Sequence, residues 1–144
     1  MQVMAIAPYE SFGPARFGSS EEEVVTAMGQ PDYALEKKYS YGHFKVHFDV
    51  YGCDCAELFS SRDEVVPLVD SDLRLVGEFD VVVQALHQRG YETRPGPHYR
   101  PNVVWDVVCD ALGIRLWHAT EEIIGIESVA AFRRDVYQRM FQPQ

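Results

Sequence analysis

Phe17-Gly18-Ser19-Ser20-Glu21-Glu22-Glu23-Val24-Val25-Thr26-Ala27-Met28-Gly29-Gln30-Pro31 carries both ends of a short helix within itself. Ser20 followed three residues later by Glu23 is a capping box, in which each side chain satisfies a backbone N–H that the first turn leaves free. Glu21 and Glu22 place negative charge at the positive end of the helix dipole. Gly29 supplies the C′ residue, and Pro31 blocks any further turn. The pattern returns in Leu75-Val76-Gly77-Glu78-Phe79-Asp80-Val81-Val82-Val83-Gln84-Ala85-Leu86, which ends at Arg89-Gly90-Tyr91. Val24, Val25 and Met28 then fall on Val82, Val83 and Leu86, so the apolar stripe is kept where identities are not. In the second copy Phe79, Val82, Val83 and Leu86 lie at i, i+3, i+4 and i+7, one face of a helix over 78–89.

Strand signals follow each helix. Phe44, Val46, Phe48 and Val50 alternate with His43, Lys45, His47, Asp49 and Tyr51, a period of two that predicts one buried and one wet face. Residues 34–41 and 43–51 are expected to form a hairpin around Gly42, with a third strand over 53–59 after Gly52. A short strand over 4–7 and a loop over 9–16 precede the first helix. In the second half, strands are expected over 103–109, 113–119 and 123–129. A last helix over 131–141 would bury Phe132, Val136 and Met140. The fold class is therefore α+β: two tandem α-β-β(β) halves forming an antiparallel sheet with helices on one face, plus a C-terminal helix. The 144 residues fit a single domain, with a first half 1–60, an acidic connector 61–74, in which 65–69 has strand character, and a second half 75–144.

The chain carries a net charge of −9, the wrong sign for phosphate backbones, so nucleic acid is excluded as the expected partner. No apolar run approaches the ~18–20 residues a bilayer crossing needs. Met1 to Pro8 lacks the basic start and the long apolar core of an export signal, so the expected compartment is the cytoplasm. Three cysteines cannot all pair, which predicts reduced thiols. Acidic residues concentrate in one region: Asp54, Glu57, Asp63, Glu64, Asp70, Asp72, Glu78 and Asp80 are answered there only by Arg62 and Arg74. Such a stretch either keeps a surface solvated or steers a basic protein partner.

Reactive centres are poorly supplied. Cys53-x-Cys55 would place two thiols on one strand face, facing His43 and His47 on the strand before, a conceivable zinc set. One intervening residue is unusual for such sites, and small core cysteines with surface histidines explain the same letters. No Gly-x-Ser-x-Gly elbow, phosphate loop or His-Glu-x-x-His is present. Asp106 with Asp110, or Glu121 with Glu122, are equally well read as wet-face and turn acids. The expected protein is not an enzyme and has no cofactor or metal. Binding is better served. Tyr9, Tyr33, Tyr51, Tyr91 and Tyr99 fall in loops, strand ends or wet positions suited to interface anchors. The loop 94–102 is stiffened by Pro95, Pro97 and Pro101, while Trp105 and Trp117 read as core. The expected partner-binding residues are Tyr51, Asp54, Glu57, Asp63, Glu64, Asp70, Asp72 and Tyr99.

The segment from Phe12-Gly13-Pro14-Ala15-Arg16-Phe17-Gly18 through Met28-Gly29-Gln30-Pro31-Asp32 resembles the opening of small bacterial α-β-β domains. These include outer-membrane-assembly lipoproteins and domains like the β-lactamase inhibitor protein. A similar opening occurs in cytosolic immunity proteins that neutralise polymorphic or type VI-secreted toxins, whose second half often has a helix ending in Gly-Tyr, here Gly90-Tyr91. No export signal or lipid-attachment cysteine of the lipoprotein kind is read at the amino terminus, so the likeness points to the immunity branch. It implies a protein that binds a cognate toxin domain and blocks its active or substrate-binding site, with homodimer formation left open. The alternatives are a small-molecule-binding or regulatory domain on a concave sheet face, or a metal-dependent enzyme around His43, His47, Cys53 and Cys55.

Overall fold

Ser20 Oγ accepts from Glu23 N and Glu23 Oε1 accepts from Ser20 N, both at 3.1 Å, so helix α1 (Glu21–Met28) begins at the expected capping box. Loss of such a cap costs about 1 kcal/mol. Gly29 closes the helix at φ 87°, its N–H donating to Val25 O at 2.7 Å. The computed structural model describes residues 2–59, 65–118 and 125–141. Around α1 the first half runs β1 (Gln2–Ala7), β2 (Ser11–Phe12), β3 (Ala15–Arg16), α1, β4 (Tyr33–Leu35), β5 (Lys38–Tyr41), β6 (Phe44–Asp49) and β7 (Gly52–Phe59). The second half runs β8 (Val65–Val69), β9 (Leu73–Arg74), α2 (Phe79–Gln88), β10 (Arg94–Pro95), β11 (Trp105–Cys109), β12 (Ile114–His118), β13 (Ser128–Phe132) and α3 (Arg134–Phe141). Among the described residues no helix is long and apolar enough to cross a membrane.

The duplication goes further than the two helices. In each half a leading strand (β1 or β8) precedes the helix, and a four-stranded meander follows it. The leading strands pair in parallel, Gln2 with Val65 through Ala5 with Leu68, at the centre of a five-stranded sheet ordered β3-β2-β1-β8-β9. The meanders join through their last strands, β7 with β13, in an eight-stranded antiparallel sheet ordered β10-β11-β12-β13-β7-β6-β5-β4. Residues 65–74 are thus strands of the second half. Val66 and Val69 are buried there, and this burial overrides the acidic residues flanking them.

One core joins both halves and both sheets. Phe12, Val24, Phe44, Val46, Leu58, Leu75, Phe79, Leu86, Ile114 and Leu116 all belong to it. It sits on the inner face of the large sheet, beneath α1 and α2. Helix α3 packs Val136, Tyr137 and Phe141 against Val108, Ala130 and Phe132, which lie on the outer face by the alternation of their strands.

Several boundaries differ from the sequence expectation. Residues 34–41 hold two strands, because Lys37 at φ 63° turns the chain between Leu35 and Lys38. The 9–16 loop contains the hairpin β2–β3, tucked so that Gly13 lies against Met4. The last helix starts at Arg134, since pairing with β7 keeps Ala131 and Phe132 in β13. Met140 is consequently exposed, and Tyr137 and Phe141 replace it on the buried face. Trp105 is half-buried and packs against the core, its ring centroid 5.8 Å from Phe79, whereas Trp117 is half-buried on the outer face beneath Arg115.

Candidate functional site

The β6–β7 turn presents Val50 and Tyr51, each 77% exposed. Its base is rigid. Gly52, at φ 109°, lies against Gly18 so closely that a Cβ would come 2.6 Å from Gly18 O. Cys53 N donates to Ser19 O at 2.7 Å, and Gly18 N donates to Cys53 O at 2.8 Å. Tyr51 N donates to Asp49 Oδ1 at 2.8 Å. Arg133 then locks the turn from behind, its guanidinium donating to Asp49 at 3.0 and 2.5 Å and to Asp135 at 2.6 and 2.9 Å. The same guanidinium holds the Asp49 and Asp135 carboxyls below the usual range, and it stands 6.0 Å from the Tyr51 ring centroid. A rigid tip with an exposed aromatic loses little entropy on docking.

Beside the turn, a bulge changes which way β7 faces. Register runs His47 with Cys55 but Phe48 with Cys53, leaving Asp54 unpaired. Cys53 consequently points into the core and is fully buried, whereas Cys55 lies on the outer face. The expected thiol pair on one face is corrected by this extra residue, which resets the two-residue period. Among the described residues no three His, Cys, Asp or Glu side chains are grouped to hold a metal. Burial pushes the Cys53 thiol up to about 12 and the Cys55 thiol well above its usual range, so neither is a ready nucleophile.

An open groove of about 280 Å³ follows on the outer face, lined in part by His47, Asp54, Cys55, Glu57, Arg115 and Phe132. Burial, then the neighbouring Asp49 charge, raises the Asp54 carboxyl, and Asp54 Oδ1 is buried without a hydrogen-bond partner among the described residues. Burial also raises Glu57, against the pull of Arg115 and Lys38. His47 is pushed down by burial and by Lys38 and Lys45. Arg115 is fully engaged: it donates from Nε and Nη2 to Asp106 at 2.7 and 2.9 Å and stacks 4.5 Å from the Trp117 ring. Asp106 is 0% exposed and also accepts from His98 N at 2.9 Å. The proline-rich loop is therefore pinned to the sheet. Gly96 sits where a Cβ would meet the Asp106 carboxylate at 2.4 Å.

The expected partner-binding residues divide among several places. Tyr51 is the exposed tip. Asp54 and Glu57 lie on the outer face nearby. Asp70 and Asp72 flank the β8–β9 turn of the other sheet, where Asp72 accepts from Arg89 at 2.6 Å and Asp70 accepts from the Tyr91 hydroxyl at 2.8 Å. Those two acids serve the fold locally. Tyr99 is half-buried, edge-on to Trp105 at 6.0 Å. Asp63 and Glu64 lie outside the described residues, as do Glu121 and Glu122. Asp106 and Asp110 do not form a carboxylate pair, since Asp110 is bound by Arg94 and the Tyr137 hydroxyl.

Two arginines that hold this surface together, Arg115 and Arg133, escaped the sequence reading. Arg115 had a legible signal: it alternates with Ile114 and Leu116 as Asp106 alternates with Trp105 and Val107, one hairpin strand away. Arg133 had no signal for its pairing with Asp49, which is distant in sequence, although its other partner, Asp135, lies two residues on. Comparison with protein-family models, with curated proteins and with solved structures finds no match to this chain.

Proposed function

We propose that this chain is an immunity protein that binds a cognate secreted toxin and occludes its active or substrate-binding site, acting in the cytoplasm. The observation that carries the reading is the β6–β7 tip, two exposed apolar side chains held on a backbone braced by Gly52 and Arg133. Exposed aromatics on rigid supports are the usual anchors of protein interfaces. Around Tyr51, the carboxylates of Glu21, Glu23, Asp49, Asp54 and Asp135 outnumber the cations of Lys37, Arg133 and Arg139, so the rim is negative. Such a rim suits a basic toxin surface, one that would otherwise hold an anionic substrate. The charge of −9 would speed encounter with that surface and exclude acidic competitors. Asp70 and Asp72 contribute to this field at a distance and make no direct contact.

The test is co-expression with the C-terminal domain of the protein encoded by the adjacent upstream gene. Growth only when both are made, with a stable copurifying complex, supports the reading. Growth inhibition that this chain does not relieve rejects it.

A further inference from the structure

All three lysines of this acidic chain, Lys37, Lys38 and Lys45, fall within nine residues, and the structure gathers them at one edge of the large sheet. Among the described residues none of the three is in an ion pair. Lys45 Nζ donates only to Ser40 Oγ, at 3.2 Å, and its ammonium lies 5.9 Å from the Phe59 ring. The edge strand beside them is β4, which pairs with β5 on one side and has no described strand on the other. All three of its residues are exposed, Tyr33 by 59% and Leu35 by 55%. Register places Tyr33 opposite Ser40 and Ser40 opposite Lys45, and Leu35 opposite Lys38 and Lys38 opposite His47. The outer face of this edge is thus a strip of two large apolar side chains backed by the ammonium groups of Lys38 and Lys45, the latter opposite Glu57 in the register, with Lys37 in the adjoining turn.

We infer that the β4 edge accepts an extended acidic segment of another protein as a ninth strand of the large sheet. Edge strands offer unpaired backbone groups to an incoming chain, and alternate side chains of that chain read the face beside them. With strands about 4.8 Å apart, glutamates on the added strand would reach over Tyr33 and Leu35 toward Lys38 and Lys45. Charge also decides against a second copy of this chain. Two copies would each bring a net charge of −9 to the contact. The acidic remainder of the surface repels an acidic segment everywhere else, so selectivity comes from exclusion as well as attraction. This inference concerns the lysine-bearing edge of the same outer face that carries Glu57, and it does not rest on the toxin reading.

The test is an amide NMR titration of the ¹⁵N-labelled chain with two capped ten-residue peptides, one alternating glutamate with valine and the other lysine with valine. The glutamate peptide should shift residues 33–38 and 45–47, and its binding should weaken about tenfold or more between roughly 50 and 500 mM salt. The double variant Lys38→Glu, Lys45→Glu should keep a dispersed spectrum and lose those shifts. Equal binding of the lysine peptide, shifts elsewhere on the molecule, no shifts at millimolar peptide, or retained binding by the variant would each overturn the inference. So would concentration-dependent dimerisation through Tyr33 to Leu35.

Discussion

Asp106 is the side chain on which the outer face depends. It is fully buried, pairs bidentately with Arg115 and receives the His98 amide, so it ties the proline-rich loop to two strands. Asp106→Ala leaves Arg115 without its partner inside the sheet. Breaking such a pair costs about 3–5 kcal/mol, and chemical denaturation should show a loss of that order. Gly52 is the other decisive position, since both its φ and its contact with Gly18 forbid a Cβ. Neither role is legible in the sequence. An aspartate between Trp105 and Val107 reads as a wet-face acid until its cross-strand arginine is known. The exposure of Tyr51 was expected from the polar side of strand 43–51, but β6 ends at Asp49, so Val50, expected on the buried side, is equally exposed in the turn.

Helix α3 shows how an element can be latched by charge. Its start is held by Arg133 between Asp49 and Asp135, and its middle by the Tyr137 hydroxyl donating to Asp110 at 2.6 Å. Tyr137→Phe removes that hydrogen bond at a cost of about 1–2 kcal/mol, and hydrogen exchange should accelerate first in residues 134–141. Acid acts on the same latch. Asp49, Asp110 and Asp135 have carboxyls held down by arginine partners, so their contribution is complete above the ordinary carboxylate value and fades as pH falls below about 4. Asp54 and Glu57 are shifted the other way by burial, and their protonation on mild acidification relieves a cost. Thermal melts should therefore show stability rising slightly from neutral pH into mildly acidic solution, then falling steeply below about 4. A profile that only falls from pH 7 would contradict the raised Asp54 and Glu57. Helix α1 and strand β6 were legible because local rules set them, a capping box and a strict alternation. The bulge at Asp54 was not, because it arises in the pairing of β6 with β7, and the late start of α3 was not, because β13 pairing across the sheet delays helix onset.

Over the whole molecule, duplication is the governing design. Two units of leading strand, helix and four-stranded meander share one core and join at β1·β8 and β7·β13. The twofold helix pattern was visible in the sequence, but the place of 65–74 in the second unit was not, because acidic flanks hide a strand that pairs with distant β1. The acidic stretch also looked like one surface and is several. Asp70 and Asp72 answer Arg89, whereas Asp54 and Glu57 face the outer groove. Net charge survives that division, so association with a basic partner should slow several-fold as ionic strength rises through the physiological range, with dissociation nearly unchanged. The account depends most on the braced, negatively rimmed tip at Tyr51. Its sharpest test is the dissociation constant of the complex with the partner domain, measured by calorimetry for the unmodified chain, Tyr51→Ala and the control Tyr33→Ala. Loss of about 2 kcal/mol or more for Tyr51→Ala, roughly thirtyfold in affinity, with Tyr33→Ala unchanged, is the predicted result. An affinity indifferent to Tyr51 would contradict it.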